Sequence, residues 1–401
     1  MNVNRKNSQI CWIFCLVTIT TLIGMLYKYT STSTIRRIYI ASRVLLVAIA
    51  VLYLLAIFIK NMVIYKDDFP IIVFVMYELI ISKINGLLIF PDAIIDIVTW
   101  PCLYLIFKSY TRKRTLPSLT SKIMKISMLL MFFFSTLLII KHRMGNGDAG
   151  GVVFYVYYCI TYLPLVLFLI ENRKIRNYYF IITIALLMLS TKRSGTITAI
   201  IGYVLYLLSD VRVRDDIKNK ILKYKNYFLG FIILIGTFLI LNHFFTFEVI
   251  ERIKNISSDQ GSGREYIWSF VLNDFFASDE KTKILGHGFQ AVYYRLKPFG
   301  VDRLAHNSFL ELLYDYGYAG LTLFIIFLGT IVKKAIAGYK MKDRNTPAML
   351  YTLLICAIFG FTSYLFEESA IMVPIAIFWG CFDGEKYRND RAVDYDIEET
   401  N

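Results

Sequence analysis

The chain has 401 residues, of which 57% are hydrophobic and only 18% charged, with a mean hydropathy of +0.54. That apolar share exceeds what a water-soluble domain needs to fill its core, so lipid is the solvent for most of the chain and a soluble enzyme fold is excluded. Many of the basic residues behind the net charge of +14 cluster in short links between apolar runs, which argues against a nucleic-acid-binding face and follows the positive-inside pattern of a membrane topology.

About twelve apolar runs suited to crossing a bilayer follow one another. They lie at 10–26, 38–59, 69–90, 93–107, 123–140, 152–170, 178–190, 195–209, 227–245, 315–332, 348–365 and 370–382. The first has Arg5 and Lys6 ahead of it, as a signal peptide would. No small-residue cleavage site follows, so it reads as a membrane helix. The expected fold is therefore all-α: a polytopic integral membrane protein with helices 1–9 in residues 1–245, one long extracytoplasmic loop at 246–308 with short amphipathic helices, helices 10–12 in 309–382 and a cytoplasmic tail at 383–401. Basic links at 108–122, 171–177, 209–226 and 333–347 are assigned to the cytoplasm. That places 141–151, 190–194, 246–308 and 365–370 outside, with Lys28, Arg36 and Arg37 breaking the bias. The six cysteines all lie in or beside apolar runs without CxxC pairs or metal-ligand spacing to histidine, and they read as small core residues.

The only long hydrophilic insertion is 246–308, and loops of that length usually carry function. Before it, Lys192 and Arg193 sit in the break Ser190–Gly195, on the outward side, where basic residues either snorkel to lipid phosphate or form an anion site. Inside it, Gly261-Ser262-Gly263-Arg264 precedes a helical stretch from Glu265 to Leu272. Arg264 in the first turn of a helix would join free backbone N–H groups and the positive dipole end, an arrangement that holds phosphate. The alternative is a capped helix with a solvated arginine. His287 follows in Gly286-His287-Gly288-Phe289.

His306 and Asn307 then open the next membrane run, with an imidazole at the expected membrane surface that can accept a hydroxyl proton. A hydrogen-bonded structural histidine is the competing reading. Arg43, Glu78, Lys83 and Asp96 are charges inside apolar runs, hence functional or paired structural groups. Glu367 and Glu368 lie in an outward turn, suited either to orienting His306 or to binding sugar hydroxyls. The turn Gly145–Gly151 lacks the ending of a P-loop.

Lys-Arg-Ser-Gly at 192–195, Gly-Ser-Gly-Arg-Glu-Tyr-Ile-Trp at 261–268, Gly-His-Gly-Phe at 286–289 and Ala-His-Asn-Ser-Phe-Leu-Glu-Leu-Leu-Tyr-Asp-Tyr-Gly from 305 to 317 resemble, in order and spacing, the O-antigen ligase and polymerase family. The resemblance is carried by about residues 190–330. It implies an all-helical membrane protein with a long outer loop, transferring glycan from an undecaprenyl-diphosphate-linked donor. Arg193 and Arg264, with Lys192 beside them, match the positions that hold the donor diphosphate. His306 matches the histidine that assists acceptor attack, and His287, Asn307, Glu367 and Glu368 are candidate supports. Asp315 stands where the family has a glutamate.

No Asp-x-Asp metal motif occurs in the loop, so the expected reaction uses neither metal nor cofactor. Expected partners are the lipid-linked oligosaccharide, the bilayer, and the chain-length regulator and flippase of the same pathway. Repeat-unit polymerase of a capsule or O-antigen is the first expectation, ligation to a lipid or protein acceptor the second, and flipping of a lipid-linked glycan the third.

Overall fold

The structure is a computed structural model that describes residues 3–61, 65–89, 91–144, 155–190, 192–214, 264–300 and 304–398. Among the described residues it is helical, with no strand. The helices are α1 (Val3–Thr30), α2 (Ser33–Asn61), α3 (Phe69–Ile84), α4 (Asp92–Thr111), α5 (Ser118–Met144), α6 (Tyr157–Leu169), α7 (Arg173–Leu189) and α8 (Arg193–Arg214). After these come α9 (Arg264–Ala277), α10 (Glu280–Leu285), α11 (Ala291–Leu296), α12 (Ser308–Lys340), α13 (Thr346–Thr362) and α14 (Ser369–Glu398).

Asn7–Thr30, Ser33–Ile59, Asp92–Thr111, Ser118–His142 and Ser308–Lys340 are long and apolar enough to cross a membrane, and α6, Ser194–Ser209 and α13 are shorter apolar helices. The run expected at 69–90 ends as helix at Ile84, because Asn85 leaves helical geometry and Gly86 turns at φ +70°. The run expected at 227–245 and the loop from 246 to 263 lie outside the described residues. All-helical architecture is the expected answer to a lipid solvent, since a helix satisfies its own backbone polar groups.

The polar contacts sort into two ends of the bundle. At one end the start of α3, the close of α4 and the later turns of α12 and α14 meet around Lys108, which is 1% exposed. Its ammonium lies 2.5 Å from Asp68 and 2.7 Å from Asp383, and Lys334 reaches Asp383 at 2.6 Å. Arg112 lies 3.4 Å from Asp67, and the Tyr110 hydroxyl bonds Asn7 of α1 at 2.7 Å. Helix directions then carry the α5 start, the α6–α7 link with the first turn of α7, which holds Arg173, Lys174 and Arg176, and the α12–α13 link to this same end. These three basic links therefore meet at one end; of the fourth, 209–226, the structure describes residues only as far as Arg214.

The opposite end gathers the starts of α4, α6, α8, α12 and α14, together with α9–α11. There Arg43 pairs with Asp96, whose carboxylate also accepts the Ser369 hydroxyl at 2.5 Å. Between the ends, α4 and α14 pack along their lengths around Trp100 and Trp379, both buried, with Trp379 Nε1 donating to Thr352 at 2.9 Å.

Two glycines join the loop helices to the bundle. Gly317 (φ +64°, ψ −170°) breaks α12, and Gly286 (φ +87°) ends α10. A Cβ on Gly286 would meet the Asp315 carbonyl oxygen at 2.4 Å, and one on Gly317 would meet that of Ile284 at 2.4 Å. The two backbones therefore touch directly, in conformations that other residues adopt only with strain. Gly317→Ala is expected to destabilise the protein by roughly 2 kcal/mol or more, from backbone strain and overpacking together, seen as a lowered Tm in detergent. An unchanged Tm would show that the contact yields freely.

Candidate active site

The segment before α12 is anchored from three directions. Asn307 caps the helix, its side-chain oxygen accepting from the Leu310 amide at 3.1 Å. The buried carboxylate of Glu311, one turn into the same helix, reaches back to accept from the Ala305 amide and also from the His306 amide. Trp268 of α9 donates its indole N–H to the Ala305 carbonyl at 2.7 Å. Between these anchors His306 adopts a left-handed φ of +53°, a conformation in which histidine is one of the few enriched non-glycine residues. It is half-buried.

Ser308 ties this turn to the link between α13 and α14. Its hydroxyl donates to the Ser363 carbonyl at 3.0 Å and accepts from the Leu365 amide at 2.6 Å. Arg264, the first residue of α9 as its motif required, donates from Nη1 to the Thr362 carbonyl at 2.8 Å. That carbonyl closes α13, the negative end of a helix dipole, which favours a guanidinium. Arg264 and the His306 turn are therefore held on consecutive peptide units, 362 and 363.

Arg264 also lies within electrostatic reach of Tyr157, whose hydroxyl bonds that of Ser194 at 2.9 Å and whose ring meets Phe359 with centroids 4.6 Å apart. Ser194 is the second residue of α8 and Arg193 the first, so the amino end of α8 joins Arg264 at one place. The Lys192 carbonyl accepts from the Thr196 amide at 2.9 Å, the first hydrogen bond of α8. The side chain of Arg193 lies outside the described part of the chain.

The remaining expected residues separate. His287 stacks on Tyr314 with centroids 4.4 Å apart and faces the Ser278 hydroxyl at 3.4 Å. The Tyr314 hydroxyl donates to Asp274 at 2.5 Å, and Arg295 grips the same carboxylate with two donors at 2.8 and 3.1 Å. His287 thus belongs to the packing of α9–α11 on α12. Burial lowers its pKa below the ordinary 6.5, although the Asp274 charge opposes this.

Helix α9, expected to be amphipathic, buries Ile267, Val271 and Phe275 at i, i+4, i+8 spacing while Tyr266 and Phe276 stay exposed on other sides. Its apolar surface is thus not confined to one stripe. Glu367 and Glu368 diverge. Glu368 is half-buried and feels Asp96 and Arg43, while burial pushes its pKa up to about 7. Glu367 is 3% exposed, accepts from the Tyr364 hydroxyl at 2.9 Å, and is pushed by burial up to about 8. Its neighbours are Glu311 and Asp315: one oxygen from each of the three lies within 4.8 Å of the others.

Sequence reasoning named Asp315 only as a family departure and did not assign roles to Glu311, Trp268 or Tyr157. The i, i+4 spacing of Glu311 and Asp315 places them on one helix face and was the available signal. Nothing local ties either to Glu367.

Residues 178–325, a stretch that runs from α7 into α12, match the family model described as O-antigen ligase. No curated protein matches the chain.

Trp268→Phe leaves the buried Ala305 carbonyl without its donor and is expected to cost about 1–3 kcal/mol, measured as a fall in Tm; no fall would remove Trp268 from the anchoring of His306. His287 carries a pKa lowered in the folded state, so the unfolded chain takes up the proton first as the pH falls. Its contribution to stability is full above 6.5 and is lost as the pH falls through the lower folded value. His287→Asn should therefore flatten the decline in Tm between pH 7.5 and 5.5, and an equally steep decline in the variant would refute the assignment.

Proposed function

We propose that this O-antigen ligase-type chain is a polysaccharide repeat-unit polymerase. It transfers glycan from an undecaprenyl-diphosphate donor to a sugar hydroxyl of a lipid-linked acceptor on the outer face of the cytoplasmic membrane. The observation that carries this reading is the anchoring of Arg264 and of the His306 turn to the adjacent carbonyls of Thr362 and Ser363.

In the proposed reaction the acceptor hydroxyl attacks the anomeric carbon of the donor sugar. A new C–O bond forms, the bond from that carbon to the diphosphate oxygen breaks, and undecaprenyl diphosphate leaves with its electron pair. The hydroxyl proton passes to the imidazole of His306, a group that exchanges protons near neutral pH. Arg264 meets the growing charge of the leaving group. One of its five N–H donors is spent on the Thr362 carbonyl, which fixes the plane of the guanidinium. Arg193 and Lys192 complete the cationic side at the amino end of α8, where a helix terminus favours an anion. The bond energy of the donor supplies the driving force, so no nucleotide is consumed.

The family description favours a second reading, in which the same donor chemistry delivers finished glycan to a lipid or protein acceptor. Purified full-length chain with undecaprenyl-diphosphate-linked repeat units distinguishes them. Products longer than one repeat are expected. Transfer only to an added separate acceptor would indicate the ligase, and movement of substrate across a vesicle without a new glycosidic bond would overturn both. His306→Ala is expected to lower the rate about 10²–10⁴-fold and Arg264→Ala about 10²–10³-fold, with protein still in the membrane fraction. Arg193→Ala should also abolish chain growth. Normal ladders from all three variants would refute the residue assignments. Membrane-impermeant labelling of cysteines placed at 280 or 297 should occur from outside the cell; labelling only from the cytosol would end the reading.

A further inference from the structure

We propose that a cavity at the end of the bundle opposite His306 binds a phosphate-bearing anion, in the form of the headgroup of an acidic phospholipid. The cavity has a volume of about 590 Å³ and lies between the close of α4, the start of α5, the α6–α7 and α12–α13 links and the later turns of α14. Four basic side chains line it, Lys125, Arg176, Arg344 and Arg388, against two acidic ones, Glu171 and Glu385. Glu385 is already shared: its Oε1 lies 3.0 Å from Arg344 and 3.6 Å from Arg388, and its Oε2 accepts from Asn345 at 3.0 Å. Glu171 is exposed. Positive charge is therefore in excess along the lining.

Backbone carbonyls hold two of these cations in place. Arg388 donates from Nη1 to the Thr111 carbonyl at 3.0 Å, and Arg176 donates from Nε to the Ile170 carbonyl. A guanidinium has five N–H donors in a rigid fork that matches the oxygens of a phosphate. Arg176 uses only Nε among the described residues, which leaves both of its terminal amino groups for a ligand. Lys125 makes no hydrogen bond or ion pair through its ammonium among the described residues. The 27-residue α5 opens at the cavity, with Ser118 and Ser121 of its first turn in the lining, and α7 opens there behind its cap Asn172. Two positive helix ends thus add to the side-chain charge.

Position favours a lipid over a soluble anion. Ser118–His142 is long and apolar enough to cross a membrane, and the cavity lies at its first residues, the depth of lipid headgroups. Apolar side chains of Leu116, Phe168 and Leu169 share the lining with the cations. Leu129, one turn beyond Lys125 on the same face of α5, is 57% exposed, and Ile126 and Phe133 along that side are 59% and 57% exposed. An acyl chain would follow this surface while its phosphate met Lys125, as basic pockets between membrane helices receive acidic headgroups. A lone phosphate would leave most of the volume empty. That the cavity faces the cytoplasmic leaflet rests on the membrane orientation proposed above; its binding of the anion does not.

The test uses the full chain in a neutral detergent, stripped of lipid, with native mass spectrometry as the readout. The wild type is expected to retain one phosphatidylglycerol per chain in preference to phosphatidylcholine, whose choline cancels the phosphate charge. Lys125→Gln with Arg176→Gln is expected to weaken that retention about 30-fold, through the loss of two basic residues facing an acidic headgroup, with an unchanged Tm in the absence of lipid. A second measurement needs no variant: phosphatidylglycerol should raise the Tm of the wild type, and the rise should shrink as NaCl goes from about 0.05 to about 0.5 M. Equal retention of the two lipids, undiminished retention in the folded double variant, or a rise in Tm indifferent to salt would overturn the proposal. Inorganic phosphate separates the sources: failure to displace the lipid at millimolar concentration supports the headgroup, whereas saturable displacement would overturn the lipid and leave a soluble phosphate ester as the occupant. Lost binding beside intact repeat-unit ladders would refute this site alone, and lipid binding without ladders would refute the polymerase reading alone.

Discussion

The carboxylate of Glu311 reaches back from the first turn of α12 to the two amides ahead of it, and the geometry of the candidate site depends on that contact. Those amides belong to Ala305 and His306. A residue at left-handed φ cannot continue a helix, so something outside the backbone ladder must hold it. Glu311 from below and Trp268 from the side supply that hold. Ser308 then fastens the same turn to the link after α13, where Arg264 is already seated. One buried acid thus lets a base candidate and an anion-binding candidate, supplied by different helices, share a fixed distance.

Burying charge to obtain such precision is expensive, and the protein resolves the expense differently at its two ends. Around Lys108, opposite charges meet at hydrogen-bond distance, and removal of any one would strand the others in a low-dielectric interior. Around Glu311 the buried groups are of one sign, and they are met by neutral donors, the Ala305 and Val292 amides and the Tyr364 hydroxyl, rather than by a cationic side chain. The first arrangement stabilises the bundle; the second leaves polar capacity unspent next to the site.

The helices of the loop are bound to the bundle through backbone as well as through a cluster of large side chains that joins Ile267, Val271 and Phe275 to Leu310 and Tyr314. Gly286 and Gly317 lie against each other's chains, and the His287 amide donates to the Tyr314 carbonyl at 3.2 Å and the Gly288 amide to that of Asp315 at 2.6 Å. This explains why α12 carries a break beside its acidic face: the break frees carbonyls there that accept from the loop. His287, which its motif advertised as a site residue, serves this joint through its stack on Tyr314.

By itself the sequence determined that the chain is helical and lies in a membrane, because the apolar runs admit no other solvent and a backbone in lipid must bond to itself. It marked which links are rich in basic residues, because those are read directly from the sequence. It also placed Arg264 at a helix start, since that is a property of a few consecutive residues. Tertiary structure alone decided that Glu367 joins Glu311 and Asp315 while its neighbour Glu368 turns toward Arg43 and Asp96. A non-helical link sends successive side chains in directions that no periodicity encodes. The same holds for Tyr157 beside Arg264 and for Trp268 on Ala305: such contacts depend on where separate helices cross, and crossing is fixed by packing over the whole bundle rather than by any local pattern.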